Sequence, residues 1–271
     1  MRFACRPIIL FPLLLVASAC VSTSAQTASP ILKKDDLLFR KNSYVDKSGN
    51  KMPYRLFVPA NYDPTQKYPL IFWLHGAAGR GADNLKQISG GNENGTHTWT
   101  TPENQKQLPA FVLAPQCPDD RYWSDPELNE ISPQLQMALD ILASVQKEFS
   151  IDPDRIYLAG QSMGGLGVWA LLQAQPERWA GALVLCAFDN FTNVKSIARV
   201  PVWIFQGDAD MSVPVDLIRQ MVKDLKKSGA QPRYSEYHKV GHDVWLKAFA
   251  ELDLVSWLAA QKRGAATPTT K

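Results

Sequence analysis

The sequence predicts an α/β protein in which a doubly wound, mostly parallel sheet carries helices on both faces. Three observations support this fold class. The apolar runs are short and continuous rather than alternating, which is typical of strands buried on both faces. Segments with helical periodicity separate these runs. A glycine-rich turn around Ser162 lies where one apolar run meets a helical pattern, which is typical of a sharp strand-to-helix bend.

The composition fits one large globular domain and excludes a nucleic-acid binder. The chain has 271 residues, of which 45% are hydrophobic and 20% charged. Its formal charge is +3, and without Arg2 and Arg6 it has 27 basic and 26 acidic residues, or about +1. No basic run extends beyond Lys226 and Lys227. Nucleic-acid binding would need a basic patch or stripe, so the charges are read as a solvated surface.

Residues 1–20 read as an export signal. Arg2 and Arg6 precede the apolar run Ile8–Val16, and the small residues Ala17–Ala19 follow it. The apolar run is too short for a lasting membrane span, whereas the charged start and small-residue end are typical of a cleavable signal. We therefore expect an exported protein, in the periplasm, on the outer membrane as a lipoprotein, or secreted.

Two processing sites remain open. Cys20 directly follows the small residues, as in a lipoprotein signal, so it is a candidate for a lipid anchor. The alternative is ordinary cleavage near Ala19 or Ala25. The expected organisation is a signal at 1–20, a flexible tether at 21–36, one domain at 37–262 and a disordered tail at 263–271. The oligomeric state is not predicted.

Apolar runs and turn residues place the strands. A strand pair is expected at Leu37–Val45 and Met52–Val58, with a turn at Ser48–Asn50. Further strands are expected at Pro69–Leu74, Phe111–Ala114, Ile156–Ala159, Ala182–Ala187, Val200–Phe205 and Arg233–His238.

Cap residues and periodicity place the helices. Ser132 and Pro133 predict a helix start, and further helices are expected after Ser162, near Val215 and after His242. The last of these would carry its apolar residues on one stripe, namely Trp245, Phe249, Leu252 and Val255.

Two connections bear on access to the site. The polar stretch Gly90–Leu108 predicts an exposed loop near the mouth of the site. Only a short connection links Ala187 to Val200, which leaves no room for a large lid. We therefore expect an open cleft.

Ser162 is the candidate nucleophile. It is the central residue of Gly160-Gln161-Ser162-Met163-Gly164, between a buried strand and a helix. This context predicts a strained bend that exposes the hydroxyl at the helix N-terminus. The alternative is an ordinary tight turn.

The residue order supplies a base and an acid. His242 is the candidate base because it lies in a loop after the last predicted strand, whereas His75, His97 and His238 are less suitably placed. Asp208 and Asp210 both follow the strand at Val200–Phe205, and either could orient the imidazole. Asp189 is a third, weaker choice.

Backbone amides are the candidate stabilisers of a developing oxyanion. The segment after the strand Pro69–Leu74 can turn the amide of Ala77 toward the site, and Met163 supplies the second amide. A simple glycine turn is the alternative. His75 is then structural.

The cysteines and histidines give no sign of a metal or cofactor site. Once the signal is excluded, Cys117 and Cys186 are left, and both suit small buried hydrophobic positions, although an exported chain would permit a disulfide. No Cys or His spacing indicates a metal site, and no cofactor is expected.

The chain resembles the α/β-hydrolases related to exported predicted peptidases, feruloyl and acetyl-xylan esterases, and polyhydroxybutyrate depolymerases. The likeness extends from about Tyr54 to Trp257. It rests on four segments: Leu74-His75-Gly76 through Gly81, Ala114-Pro115-Gln116-Cys117-Pro118, Ile151-Asp152-Pro153-Asp154-Arg155 leading into Gly160–Gly165, and Gly241-His242-Asp243-Val244-Trp245.

The resemblance implies several roles. It aligns Asp210 with the family's acid and places Gln206 where the family usually has histidine. It also makes Trp123 a candidate for lining the site, against ordinary packing, and Gln161 and Trp245 are the other candidates for contact with substrate. The implied activity is ester hydrolysis through an acyl-enzyme. A serine peptidase of the same fold and a non-catalytic binding protein of the cell envelope are the alternatives.

Overall fold

One eight-stranded sheet forms the centre of the protein in the computed structural model, which describes residues 38–124, 131–189 and 194–264. Its strands in chain order are β1 Phe39–Val45, β2 Lys51–Phe57, β3 Tyr68–Leu74, β4 Phe111–Pro115, β5 Ile151–Gln161, β6 Gly181–Leu185, β7 Val202–Gly207 and β8 Arg233–Tyr237. Across the sheet their order is β1-β2-β4-β3-β5-β6-β7-β8.

The sheet is mostly parallel, as the sequence predicts. β2 is antiparallel to both β1 and β4, and every other neighbouring pair is parallel. The parallel strands therefore end at one edge, where the loops that follow β3, β5 and β7 meet. All the expected strands form, although β5 begins at Ile151 rather than at Ile156.

Apolar layers cover both faces of the sheet. Along β3, Leu70, Phe72 and Leu74 belong to one buried cluster, whereas Ile71 and Trp73 belong to the other. This alternation explains why the predicted strands read as continuous apolar runs: each face has its own core.

Helices pack on both faces. They are α1 Glu93–His97, α2 Pro102–Gln107, α3 Pro133–Glu148, α4 Met163–Ala174, α5 Val194–Ile197, α6 Val215–Lys227, α7 Trp245–Ala248 and α8 Leu254–Ala259. Buried side chains of α3 to α6 join the first cluster, and those of α7 and α8 join the second. The predicted start of α3 is confirmed, since the Ser132 hydroxyl accepts the Leu135 amide at 3.1 Å.

The prediction of an exposed loop at Gly90–Leu108 is wrong in part. The segment contains α1, α2 and a 3-10 turn at Thr98–Thr100, and it packs on the sheet. Trp99 is 1% exposed and its indole donates to the Gly95 carbonyl at 3.0 Å. A few apolar residues are thus enough to bury a segment whose composition is polar.

The prediction of a single helix after His242 is also wrong. The chain forms α7 and α8 with a break between them, and Leu252 in that break is fully exposed. Tertiary contacts account for the break: Tyr237 donates to Glu251 at 2.5 Å, and Arg233 pairs with Asp253 at 2.6 Å. Both contacts join β8 to the residues between α7 and α8, and they stabilise this break more than the apolar stripe favours one continuous helix.

Several expectations fall outside the described residues. These are the signal at 1–20, Cys20, the tether at 21–36 and most of the tail. Cys117 and Cys186 are buried and unpaired, as suits small hydrophobic side chains. In the described part of the chain, no helix combines the length and apolar character needed to cross a bilayer.

Candidate active site

The turn from β5 into α4 presents Ser162 in a strained conformation. Its backbone has φ 52° and ψ −119°, which non-glycine residues rarely adopt. A Cβ at Gly160 would lie 2.5 Å from the Gly164 carbonyl oxygen, and one at Gly164 would overlap the carbonyl of Leu74. Only glycine lets β3, β5 and α4 approach this closely, so the turn projects the serine side chain from the sheet edge.

Three side chains that are distant in the chain form one hydrogen-bonded relay. His242 Nε2 lies 2.8 Å from Ser162 Oγ, and His242 Nδ1 lies 2.8 Å from Asp210 Oδ2. A carboxylate can only accept, so the Nδ1 proton faces Asp210 and Nε2 is left as the acceptor for the serine hydroxyl. The imidazole is therefore held in the tautomer that can take the serine proton.

Asp210 is buried and held ionised. Its carboxylate side chain is fully buried, and its Oδ1 accepts the amides of Ser212 and Val213 at 2.8 and 2.9 Å. Burial by itself would raise the pKa of Asp210, but the hydrogen bonds from Val213, His242 and Ser212 outweigh it and lower the pKa. A negative charge thus faces the imidazole.

Gln206 lies beneath this acid, at the position aligned with the family's histidine. It is 0% exposed, and its Nε2 donates to Val213 O at 2.8 Å and lies 3.2 Å from Asp210 Oδ2. The residue therefore supports the carboxylate and the loop that follows it.

The other candidate acids are engaged elsewhere. Asp208 pairs with Nδ1 of the exposed His238 at 2.7 Å and accepts the Lys239 amide at 2.6 Å. Asp189 accepts a hydrogen bond from Gln173 at 3.1 Å. The geometry thus selects Asp210 from the three candidates.

His75 is structural, as expected. It is fully buried, its Nε2 accepts the Cys117 amide at 3.0 Å, and its Nδ1 lies 2.7 Å from the Gly76 carbonyl oxygen. The ring is therefore neutral with its proton on Nδ1. Burial lowers the pKa of His75 to about 4. His97 lies in α1, and neither it nor His238 takes part in the relay with Ser162.

His75→Gln should make the free energy of unfolding less sensitive to acid. The pKa of His75 is about 4 in the folded protein and near 6.5 in the unfolded chain. Between these two pH values the unfolded state therefore binds more protons than the folded state. Stability contributed by the neutral ring is present above this window and is lost as the pH falls through it. Between pH 7 and pH 5 the wild-type protein should lose about 2 kcal/mol more than the variant, measured by urea unfolding. Equal losses in both proteins would contradict this.

Both candidate oxyanion amides belong to the first residue of a helical element. Ala77 begins the 3-10 turn Ala77–Gly79 after β3, and Met163 begins α4. Neither amide donates a hydrogen bond to another described residue. The neighbouring amide of Gly76 does have an acceptor, because it donates to Asn92 Oδ1 at 2.9 Å. The Gly76 amide is therefore already engaged, whereas Ala77 and Ala78 of this turn each retain an N–H with no acceptor among the described residues.

The three candidates for contact with substrate differ in position. Trp123 is 0% exposed and its indole donates to His75 O at 3.0 Å, so the packing alternative is the one that the geometry favours. Gln161 is buried and donates to the Gly91 carbonyl at 3.1 Å. Trp245 is half-buried, and its ring meets the His242 ring edge-on at 6.1 Å. Of the three, Trp245 alone borders the relay with an accessible ring.

Asn92 contacts the turn after β3 although no pattern in the sequence indicates it. Its partner Gly76 lies 16 residues earlier, in a different loop. Asparagine often bonds to nearby backbone, but the pattern Gly-Gly-Asn-Glu gives no sign of so distant a partner.

Among the described residues, no three potential metal ligands lie together.

Comparison with known proteins finds similarity to esterases. A model of the Esterase family, described as "Putative esterase", matches residues 46–245. A solved structure of a thermostable esterase is similar, with 36% sequence identity and a TM-score of 0.79. The match covers 84% of this chain and 64% of that one, so this chain spans less than two thirds of the length of that esterase.

More distant structures share the fold. A ferulic acid esterase is 15% identical with a TM-score of 0.62, over 81% of this chain and 98% of that one. A puromycin hydrolase is 12% identical with a TM-score of 0.58, over 81% of this chain and 39% of that one. With the esterase match, these likenesses confirm the α/β-hydrolase fold that the resemblance implies.

Proposed function

Because the chain belongs to the Esterase family, we propose that it is a serine hydrolase that cleaves carboxylic esters through an acyl-enzyme. One observation carries the proposal: His242 lies 2.8 Å from both Ser162 Oγ and Asp210 Oδ2. This relay supplies a nucleophile, a base and an orienting acid.

Acylation begins with proton transfer. As Ser162 Oγ attacks the ester carbonyl carbon, its proton passes to His242 Nε2, and the buried charge of Asp210 stabilises the imidazolium. The carbonyl oxygen becomes negative and accepts hydrogen bonds from the amides of Ala77 and Met163. When the intermediate collapses, the ester C–O bond breaks and His242 returns the proton to the departing alkoxide.

Deacylation repeats these steps with water. His242 takes a proton from a water molecule, whose oxygen attacks the acyl carbon of the Ser162 ester. The second tetrahedral intermediate expels Ser162 Oγ, which regains its proton from His242. The carboxylic acid leaves, and the enzyme is restored without any change of redox state.

Two further elements of the proposal concern access and location. Ser162 is partly exposed, and the described part of the connection between β6 and β7 contains the four-residue helix α5, in keeping with an open cleft. We also propose export, on the basis of the basic, apolar and small-residue pattern of residues 1–20.

The test combines a label with two substrate classes. A fluorophosphonate probe should label Ser162, located by mass spectrometry of the digested protein, and aryl esters should be hydrolysed much faster than peptide anilides. Faster cleavage of the anilides would favour the peptidase alternative. Labelling confined to another residue, or the absence of both activities, would reject the proposed mechanism.

A further inference from the structure

Asn92 ties the turn that carries Ala77 to a neighbouring loop. The side chain is 1% exposed, and its Oδ1 accepts the Gly76 amide at 2.9 Å. Its Nδ2 donates to the carbonyls of Lys86 and Ser89 at 3.0 and 3.3 Å. Both the oxygen and the nitrogen of the side-chain amide are thus hydrogen-bonded in a buried site, where a fully satisfied polar group rigidifies its surroundings.

These contacts fix both peptide units of Gly76. Asn92 holds the amide at one end of the residue, and the ring of His75 lies 2.7 Å from the carbonyl oxygen at the other end. The Gly76 carbonyl and the Ala77 N–H belong to one planar trans peptide unit, so they point in opposite directions. Holding the carbonyl toward His75 therefore directs the Ala77 N–H away from it.

The same loop is also bonded to the strand that leads to the nucleophile. Gln161 Nε2 donates to the Gly91 carbonyl at 3.1 Å, and the Gln161 side chain packs against Gly76. The adjacent residues Gly91 and Asn92 therefore connect to both loops that bear the proposed oxyanion donors.

We propose that Asn92 is a positioning residue for the oxyanion-stabilising amide of Ala77. The inference rests on the proposed function, because it assigns Asn92 a role in that reaction. Asn92 is buried beneath the turn and acts through Gly76, so its loss should weaken binding of the transition state far more than binding of the ester.

Asn92→Ala should lower kcat for an aryl ester about 10-fold to 100-fold, with KM changed less than about threefold. Loss of a whole oxyanion donor costs about 10²-fold to 10³-fold, and a misaligned amide should retain part of its effect. Rates are normalised to the number of Ser162 side chains that a fluorophosphonate finally labels, so unfolded molecules do not count.

Gln105→Ala is the matched control. Gln105 belongs to the same segment, and its Nε2 likewise donates to two backbone carbonyls, those of Trp99 and Ala110, at 2.7 and 3.0 Å. It makes no hydrogen bond to the turn at Gly76. Its loss should lower the melting temperature but leave kcat per labelled site within about twofold of wild type.

An aryl trifluoromethyl ketone provides a readout specific for the oxyanion. Ser162 Oγ adds to its carbonyl carbon, the serine proton passes to His242, and the negative oxygen occupies the proposed oxyanion site. In Asn92→Ala its inhibition constant should rise by the same factor by which kcat/KM falls. A separate variant, Gln161→Met, removes the bond to Gly91 with little change in volume and should also lower kcat at nearly constant KM.

The outcomes separate this inference from the proposed function. If the wild-type protein hydrolyses the ester and Ser162→Ala does not, the proposed function stands. If Asn92→Ala then matches Gln105→Ala in kcat per labelled site and in ketone affinity, the positioning role is wrong. If Asn92→Ala does not fold, Asn92→Leu, which removes the same hydrogen bonds with less change in volume, replaces it: a kcat per labelled site and a ketone affinity equal to those of Gln105→Ala would overturn the inference.

Discussion

Ser162→Ala should lower kcat for aryl ester hydrolysis by about 10⁶-fold, the order of the loss found when a serine protease loses its catalytic serine. The variant has no oxygen to attack the carbonyl, and His242 loses the group that lies 2.8 Å from Nε2. Initial rates and fluorophosphonate labelling measure the loss. Folding should be retained, because the hydroxyl makes no hydrogen bond that supports the core.

Ser256→Ala is the control for this prediction. Ser256 is exposed in α8, and its hydroxyl donates to the Asp253 carbonyl rather than to any residue of the relay. Its rate should stay within about twofold of wild type. Wild-type activity in Ser162→Ala would mean that another residue attacks the ester, or that the activity arises from a contaminant.

Asp210→Asn should lower kcat about 10⁴-fold while leaving the fold in place. The buried carboxylate accepts a hydrogen bond from His242 Nδ1, with 2.8 Å between Nδ1 and Oδ2. An asparagine amide can instead donate to Nδ1 and stabilise the opposite tautomer. Nε2 would then carry the proton and could not accept one from Ser162. The variant also loses the negative charge that stabilises the imidazolium. Steady-state kinetics at neutral pH measure the change.

Asp208→Asn is the matched control, since the two aspartates lie two residues apart in one loop. The partner of Asp208 is the exposed side chain of His238, and hydrogen bonds to His238 and Lys239 lower the pKa of Asp208 at the surface. The kcat should change less than about twofold, because the pair does not touch the relay. Equal losses in Asp208→Asn and Asp210→Asn would contradict the assignment of the acid.

Local patterns predicted much of the fold because they report interactions between neighbours in the chain. Continuous apolar runs identified the strands of the parallel sheet, and the Ser132-Pro133 pair identified the start of α3. The strand-to-helix context of Ser162 predicted the bend, and its φ of 52° matches that expectation. Each signal depends on backbone geometry within a few residues.

Failures occurred where distant contacts outweighed local preference. Trp99 buries a segment that reads as a polar loop, and the contacts of Glu251 and Asp253 with β8 interrupt a stripe that reads as one helix. Periodicity describes one element alone, so it cannot include the free energy gained by packing against another element.

By itself the sequence determined the order of the candidate groups: serine after one strand, aspartate after a later one and histidine before the final helices. Residue order left Asp208 and Asp210 as alternatives, between which the resemblance favoured Asp210, and it gave no sign of the contact made by Asn92. The tertiary structure adds the physical reason for the choice, because two aspartates in one loop differ chiefly in which distant histidine each meets. The bond from Asn92 to Gly76 likewise depends on two loops that become neighbours only when the sheet forms.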